Sequence, residues 1–391
     1  MDAKLENGVL ILHPTGNINS TNAASIEKEV HAILQNCSPE EIVVDCDELQ
    51  YSSSAGLRMI LRLKRHTENT SLINVHAELY EVLEMTGFTE MMTVKKAYRV
   101  VSVENCELIG EGANGKIYRI DDDNVVKVYT NANALPQLLH DREIARAAFV
   151  LGIPMAIPYD VVQIKEGGYG SVYEMLNAKT YAQLLNGGEK SPDEIAGMSI
   201  DLLKLIHSRV AKPDVFPSFK DIALDWALFL KDYLPEDQFE KLYALIDAVP
   251  ESLNMIHGDY HLKNIMYLDG DSLLIDMDTL CCGNPIFELA GMYTAYCGFG
   301  EVDHEYIMRF LGISYETGKA FWHKSLELYL GTKEEKRIRE VEEKAKLLGQ
   351  TRIMRRTIRR NGLNTEEGRK QIEYARETIA ELLPRVDSLT I

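Results

Sequence analysis

The segment Ile256-His257-Gly258-Asp259-Tyr260-His261-Leu262-Lys263-Asn264-Ile265-Met266, followed by Leu273-Leu274-Ile275-Asp276-Met277-Asp278, constrains this chain more than any other. Apolar runs here end in short polar clusters, the pattern of buried strands that hand loop residues to one place. Asp259 precedes Asn264 by five positions, and Asp276 follows Asn264 by twelve. The interval between them reads as a hairpin that returns a strand end to the same cleft. Carboxylates and an amide gathered in this way suit a hard cation such as Mg²⁺ better than zinc, so the neighbouring Cys281 and Cys282 are read as bystanders. His257 and His261 are read as structural residues of the same loop, and His207 as a packed or surface histidine.

Phosphoryl transfer to a hydroxyl asks for few protein groups: a carboxylate for the hydroxyl proton, oxygen ligands for Mg²⁺, and a cation for the nucleotide phosphates. Asp259 would be the carboxylate, with Asn264 and Asp276 as the metal ligands. Asp278 reads equally as a second metal ligand or as substrate-facing. Upstream, Gly110-Glu111-Gly112-Ala113-Asn114-Gly115 has G-x-G-x-x-G spacing. Glycines in such a turn let backbone N–H groups approach phosphates. The strand Val125-Val126-Lys127-Val128 follows, after the turn Asp121-Asp122-Asp123-Asn124. A lysine in an apolar strand is costly without a partner, and Glu143, on a helix expected over 136–151, is the partner the pattern suggests.

Taken in order, these residues resemble the aminoglycoside phosphotransferase and choline kinase family. His257-Gly258-Asp259-Tyr260-His261-Leu262-Lys263-Asn264 is similar to its H-G-D-x-H-x-x-N motif, with Gly258 where protein kinases carry Arg. Ile275-Asp276 and Gly283-Asn284-Pro285…Glu288-Leu289-Ala290 resemble its later segments, with Glu288 in place of the usual Asp and Met277 in place of an aromatic. The resemblance covers about 105–330. It implies a bilobal protein-kinase-like domain over 103–391, with an N-lobe of about 103–176 and a largely helical C-lobe of about 177–391. It implies ATP and Mg²⁺ as cofactors, and transfer of the γ-phosphoryl group to a small-molecule hydroxyl acceptor. Asp259 would be the base, and Asn264 and Asp276 the metal ligands. Lys127, oriented by Glu143, would bind the α/β-phosphates beneath Gly110, Gly112 and Gly115. Glu174 and Leu176, flanking Met175, sit where the family's hinge contacts adenine through backbone groups.

Residues 1–102 alternate strand and helix, as a small α/β domain does. Helices are expected over 22–36, 55–65 and 78–86, and strands at Ile42-Val43-Val44 and 71–75, the first buried on both faces. Asp45-Cys46-Asp47-Glu48-Leu49-Gln50-Tyr51-Ser52-Ser53-Ser54-Ala55-Gly56-Leu57 delivers a serine-rich turn to a helix start, where a hydroxyl can cap and a phosphate can bind. This segment resembles the STAS domain of anti-sigma-factor antagonists. The resemblance implies a regulatory protein partner and makes Ser54 the candidate phosphoacceptor; a plain capping turn is the other reading. The whole chain thus reads as an α/β domain followed by an α+β kinase-like domain. Besides a small-molecule kinase, two alternatives stand: a protein serine kinase acting on a STAS domain, and a non-catalytic nucleotide-binding partner-switch regulator.

The remaining features narrow the setting. A formal charge of −18 over 391 residues argues against nucleic acid or an anionic membrane as partner. No apolar run approaches the ~18 residues of a membrane helix, and the start lacks a signal-peptide pattern. The six cysteines, none in a CxxC pair, read as reduced thiols, so the expected location is cytoplasmic. Arg352, Arg355, Arg356, Arg359 and Arg360 share a helical face, read either as salt-bridged and solvated or as a site for a partner or phosphate-bearing ligand. Asp221, Asp225 and Asp232 could attract a cationic acceptor or simply aid solubility.

Overall fold

The computed structural model describes every residue except Ala113, Asn114, Ala132 and Pro213. The middle of the expected glycine loop therefore lies outside the described residues. The chain divides into two compact units, Met1–Glu104 with Val161–Tyr169, and Asn105–Asp160 with Gly170–Ile391.

The first unit is built on a five-stranded sheet. Its order is Asp2–Glu6, Val9–His13, Glu41–Asp45, Thr70–Val75, Thr93–Lys96. Only the first pair is antiparallel; the others run parallel, crossing over through helices Ala23–Gln35, Ser54–Leu63 and Ala77–Met85. Leu10, Leu12, Ile42, Val44 and Leu72 form the core face. Ile42 and Val44 are buried while Val43 is only half-buried, so this strand alternates instead of being covered fully on both sides. The helix Ala77–Met85 is followed by Gly87 at φ 76°, a left-handed position that ends it. The segment Val161–Tyr169 belongs to this unit because Val162, Gln163 and Ile164 pair in parallel with Arg99, Val100 and Val101. The Glu166 carboxylate also accepts the Val103 N–H at 3.1 Å.

In the second unit, strands Glu107–Glu111, Gly115–Arg119, Asn124–Tyr129 and Tyr169–Glu174 form an antiparallel sheet in the order of the chain. The helix Leu135–Val150 follows the third strand. A helical body comes next, with Pro192–His207, Pro285–Tyr293 and Glu335–Arg359 among its main helices. Strands Ile265–Leu268 and Asp271–Leu274 pair as the expected hairpin. Its two turn residues, Asp269 and Gly270, both have positive φ (51° and 102°), the geometry that matches strand twist in a tight hairpin. Glu335–Arg359 is charged in sequence yet central in space. Ile338, Val341, Ala345, Leu348 and Ile353 are all buried along it, so its basic residues project from the rim of a packed helix.

Candidate active site

The loop after strand Met255–Ile256 is held by a carboxylate. Glu288 is fully buried in the first turn of helix Pro285–Tyr293. It accepts the N–H groups of His257 at 2.6 Å and of Gly258 at 3.1 Å. Asn284 caps the helix by accepting the Ile286 N–H at 3.2 Å, and Pro285 fits the first helical position, so both residues fix where Glu288 points. Burial opposes ionisation of Glu288, but His207, 3.9 Å from its carboxylate, together with His257 and the His257 N–H, holds its carboxyl below the usual glutamate range. Gly258 has φ 81°, and a Cβ there would lie 2.5 Å from the Thr279 carbonyl oxygen. Both facts demand glycine.

This anchoring sets out Asp259, whose side chain is 43% exposed. His261 Nε2 lies 3.5 Å from one of its oxygens, and Arg352 Nη2 lies 3.5 Å from the other. Arg352 also donates to the Gly258 carbonyl at 3.2 Å. Burial raises the Asp259 carboxyl, but His261, Arg352 and His257 outweigh it and hold the group well below the usual carboxylate range. Asn264 Nδ2 donates to the Asp259 carbonyl at 2.9 Å, and the Asn264 carbonyl accepts the Ile275 N–H at 2.9 Å. The hairpin thus returns Asp276 beside Asn264, with Asp276 in left-handed backbone at φ 61°.

Asp276 and Asp278 converge on Lys127, at 2.8 and 2.6 Å from its Nζ. Lys127 is only 12% exposed. Burial disfavours its charge, but Asp278 and Asp276 hold the ammonium well above the usual lysine range. Glu143 is not its partner: it is exposed and makes no ion pair among the described residues. Leu138, Ala145 and Ala148 define the inward stripe of helix Leu135–Val150, and Asp141, not Glu143, lies on that stripe by helical spacing. Asp141 is raised by burial and by Asp278, with its Gln137 hydrogen bond and Lys127 opposing.

The glycines differ in what they do. Gly115 pairs with Tyr129, and a Cβ on it would overlap the Val128 carbonyl. Gly112 donates its N–H to the Gly115 carbonyl at 2.9 Å. Gly110 and Gly112 both have room for a side chain, while Ala113 and Asn114 are outside the described residues. At the end of Tyr169–Glu174, Glu174 is exposed and the Met175 N–H is taken by the Asp123 carbonyl at 2.7 Å. The Leu176 N–H has no hydrogen-bond partner among the described residues.

The donor set can be tested for a metal. No group of three or more His, Cys, Asp or Glu side chains poised to hold an ion occurs among the described residues. Asn264 spends its Nδ2 on Asp259, which leaves its Oδ1 as an acceptor, and Asp276 is 49% exposed. Two oxygen ligands are too few for a self-contained protein cage. They suit Mg²⁺, which keeps waters and takes its other ligands from phosphates. Cys281 and Cys282 are buried on a short strand paired with Met255–Ile256 and are not part of this set.

In the first unit, the Ser53 side chain caps helix Ser54–Leu63 by accepting the Ala55 N–H at 3.3 Å. Ser54 is exposed at the first helical position, and its hydroxyl makes no hydrogen bond among the described residues. A Cβ on Gly56 would overlap Ser52 Oγ, so that glycine permits the turn to pack.

A loop aspartate and asparagine, a hairpin aspartate and a strand lysine lie together in the unit that the family comparison identifies as a kinase-like phosphotransferase. The family model described as the phosphotransferase enzyme family matches residues 105–321, more than half of the chain, and that of the STAS domain matches residues 1–101. The chain belongs to the phosphotransferase enzyme family and carries an N-terminal STAS domain. A putative anti-sigma factor antagonist, BtrV of Bordetella bronchiseptica, is 32% identical over 91 residues, which are 22% of this chain and 78% of that protein. Among solved structures, a ternary complex of a thermostable mutant of aminoglycoside phosphotransferase APH(4)-Ia with ADP and hygromycin B matches with a TM-score of 0.50 at 11% identity, covering 79% of this chain and 98% of that one. A choline/ethanolamine kinase family protein from Mesorhizobium loti matches with a TM-score of 0.45 at 14% identity, covering 71% and 87%. At 11% identity the first of these likenesses is one of fold alone. No helix of the described residues is long and apolar enough to cross a membrane.

Proposed function

We propose that the chain transfers the γ-phosphoryl group of ATP to a hydroxyl of a small molecule. One observation carries this reading: Asn264 donates to the Asp259 carbonyl at 2.9 Å and accepts the N–H of Ile275, the neighbour of Asp276, at 2.9 Å, while Asp276 meets Lys127 at 2.8 Å. Bound Mg²⁺, held by Asn264 and Asp276, would neutralise charge on the β- and γ-phosphates. Lys127 would turn part of its hydrogen bonding from Asp276 and Asp278 to the α/β-phosphates, with Asp278 keeping it in place. The strands around Gly110, Gly112 and Gly115 would cover the phosphates, and the backbone at Glu174 and Leu176 would receive adenine. Asp259, ionised and oriented by His261 and Arg352, would accept the acceptor's hydroxyl proton. The hydroxyl oxygen then bonds to the γ-phosphorus, the bond to the β–γ bridging oxygen breaks, and ADP leaves.

The STAS unit, on this reading, docks a regulatory protein, and Ser54 is its phosphoacceptor. The exposed hydroxyl at a helix start supports that role, since a phosphate there gains from backbone N–H groups and adds charge to the docking face. The test of the main reading is Mg²⁺-dependent ADP formation from ATP with a panel of hydroxyl acceptors. Asp259→Asn should cut turnover by about 10²- to 10⁴-fold while His261→Ala only weakens it. Wild-type turnover by Asp259→Asn would refute the base assignment.

A further inference from the structure

Arg352 sets a positive charge beside Asp259 in a chain whose formal charge is −18. Helix Glu335–Arg359 brings Arg352 to Asp259 and carries Arg355 and Arg356 on its next turn, each over an aromatic ring: Trp226 at 5.5 Å, Phe229 at 5.8 Å and Phe299 at 5.3 Å. Only two of the three have carboxylate partners. Arg352 meets Asp259 itself, and Arg355 meets Asp225 at 2.9 Å. Arg356 has no ion pair among the described residues and is half-buried. Burial disfavours the charge on Arg352, and Arg356 adds to that penalty while Asp259 opposes it. Asp259 and the buried Glu288 both face Arg352, but Arg356, one helical turn on, has neither as an ion-pair partner and leaves a positive charge unmatched close to where an acceptor's hydroxyl must enter. Asp225, one of three carboxylates that could attract a cationic acceptor, is already engaged by Arg355.

We propose that the acceptor is a small hydroxyl-bearing anion, whose carboxylate or phosphate is held by Arg356 and Arg352 while its hydroxyl faces Asp259. This rests on the kinase reading of the site. An anion bridging the two arginines relieves their repulsion and keeps Arg352 from competing with the acceptor for Asp259. The guanidinium fork matches both carboxylate and phosphate geometry, and the half-buried aromatic faces of Trp226 and Phe299 keep the arginines ordered.

The test uses the full-length protein. Mg²⁺-ATP binding is measured first by calorimetry. Turnover is then measured with glycerate, glycerol 3-phosphate and glucose 6-phosphate, with the cations choline, ethanolamine and kanamycin, and with neutral glycerol and glucose. The expected result is turnover of at least one anionic probe in preference to every cationic and neutral one. Arg356→Gln should raise the KM for that anion by roughly ten- to a hundredfold, with Arg356→Lys intermediate and the KM for ATP unchanged, because a charge-assisted hydrogen bond is lost. A preference for a cationic or neutral probe overturns this inference and leaves the kinase reading standing. So does Mg²⁺-ATP binding without turnover of any anionic probe. Failure to bind Mg²⁺-ATP overturns the kinase reading and this inference with it. The probe series on the wild-type protein decides the matter even if Arg356→Gln does not fold.

Discussion

The loop His257–Asn264 and the glycine-bearing strands 107–119 are assigned to the same nucleotide, yet they are held in opposite ways. His257 and Glu288 are fully buried, and the loop is fixed through its own backbone N–H groups. Glu107–Glu111, in contrast, is an exposed edge strand, with Leu108 and Ile109 47% and 42% exposed. Positioning a base within hydrogen-bond reach tolerates little movement, whereas a cover for phosphates must open to admit them. The rigid half is also the half whose sequence is most telling, because each position answers to a packing or hydrogen-bonding demand.

The sharpest way to break this contrast is Asp259→Asn. General-base removal should lower kcat by about 10²- to 10⁴-fold with the melting temperature nearly unchanged, as steady-state kinetics and thermal melts would show. Glu288→Ala comes next. Removing the buried anchor strands two N–H groups and its histidine neighbours, so a loss of about 3–5 kcal/mol in denaturant unfolding is expected. Its pH signature follows from the lowered carboxyl. The stabilisation is fully present above the unfolded glutamate value of ~4.3 and is lost as pH falls through the lower folded value. Melts of Glu288→Gln should therefore lack part of the wild-type decline on the acid side.

Within the cover itself, Gly115→Ala should be damaging and Gly112→Ala mild, because a Cβ overlaps the Val128 carbonyl in one case and meets open space in the other. Equal melting temperatures for the two would show that strand pairing there is looser than described. The smallest effect is expected at Glu143. Glu143→Ala should leave kcat/KM within about twofold, as an exposed surface change does, while Asp141→Asn should alter it more. The reverse ranking would restore Glu143 as the partner of Lys127.

Much of this site was legible in the sequence because it lies on short, locally determined elements. The Asp259-to-Asn264 spacing, the Asp269-Gly270 turn and the apolar strand around Lys127 each announce their geometry within a few residues. What escaped is long-range. Arg352 lies 94 positions from Gly258, whose carbonyl it meets, and the charged composition of its helix reads as a solvated face unless the buried stripe Ile338, Val341, Ala345 and Leu348 is seen packed. The order of motifs points to Glu143, while the helical stripe through Leu138, Ala145 and Ala148 turns Asp141 inward and leaves Glu143 exposed. The grouping of Val161–Tyr169 with the first unit depends on a parallel pairing across 63 positions, from Arg99 to Val162, which no local pattern encodes.

The central claim is that Asp276 and Lys127 belong to one Mg²⁺-nucleotide site. Titration calorimetry of ATP in the presence and absence of Mg²⁺ tests it most directly. Wild-type and Asp259→Asn proteins should bind Mg²⁺-ATP alike, and Asp276→Asn should weaken that binding by at least about tenfold, in keeping with loss of a charged metal ligand. Mg²⁺-ATP affinity left unchanged by Asp276→Asn would contradict the claim.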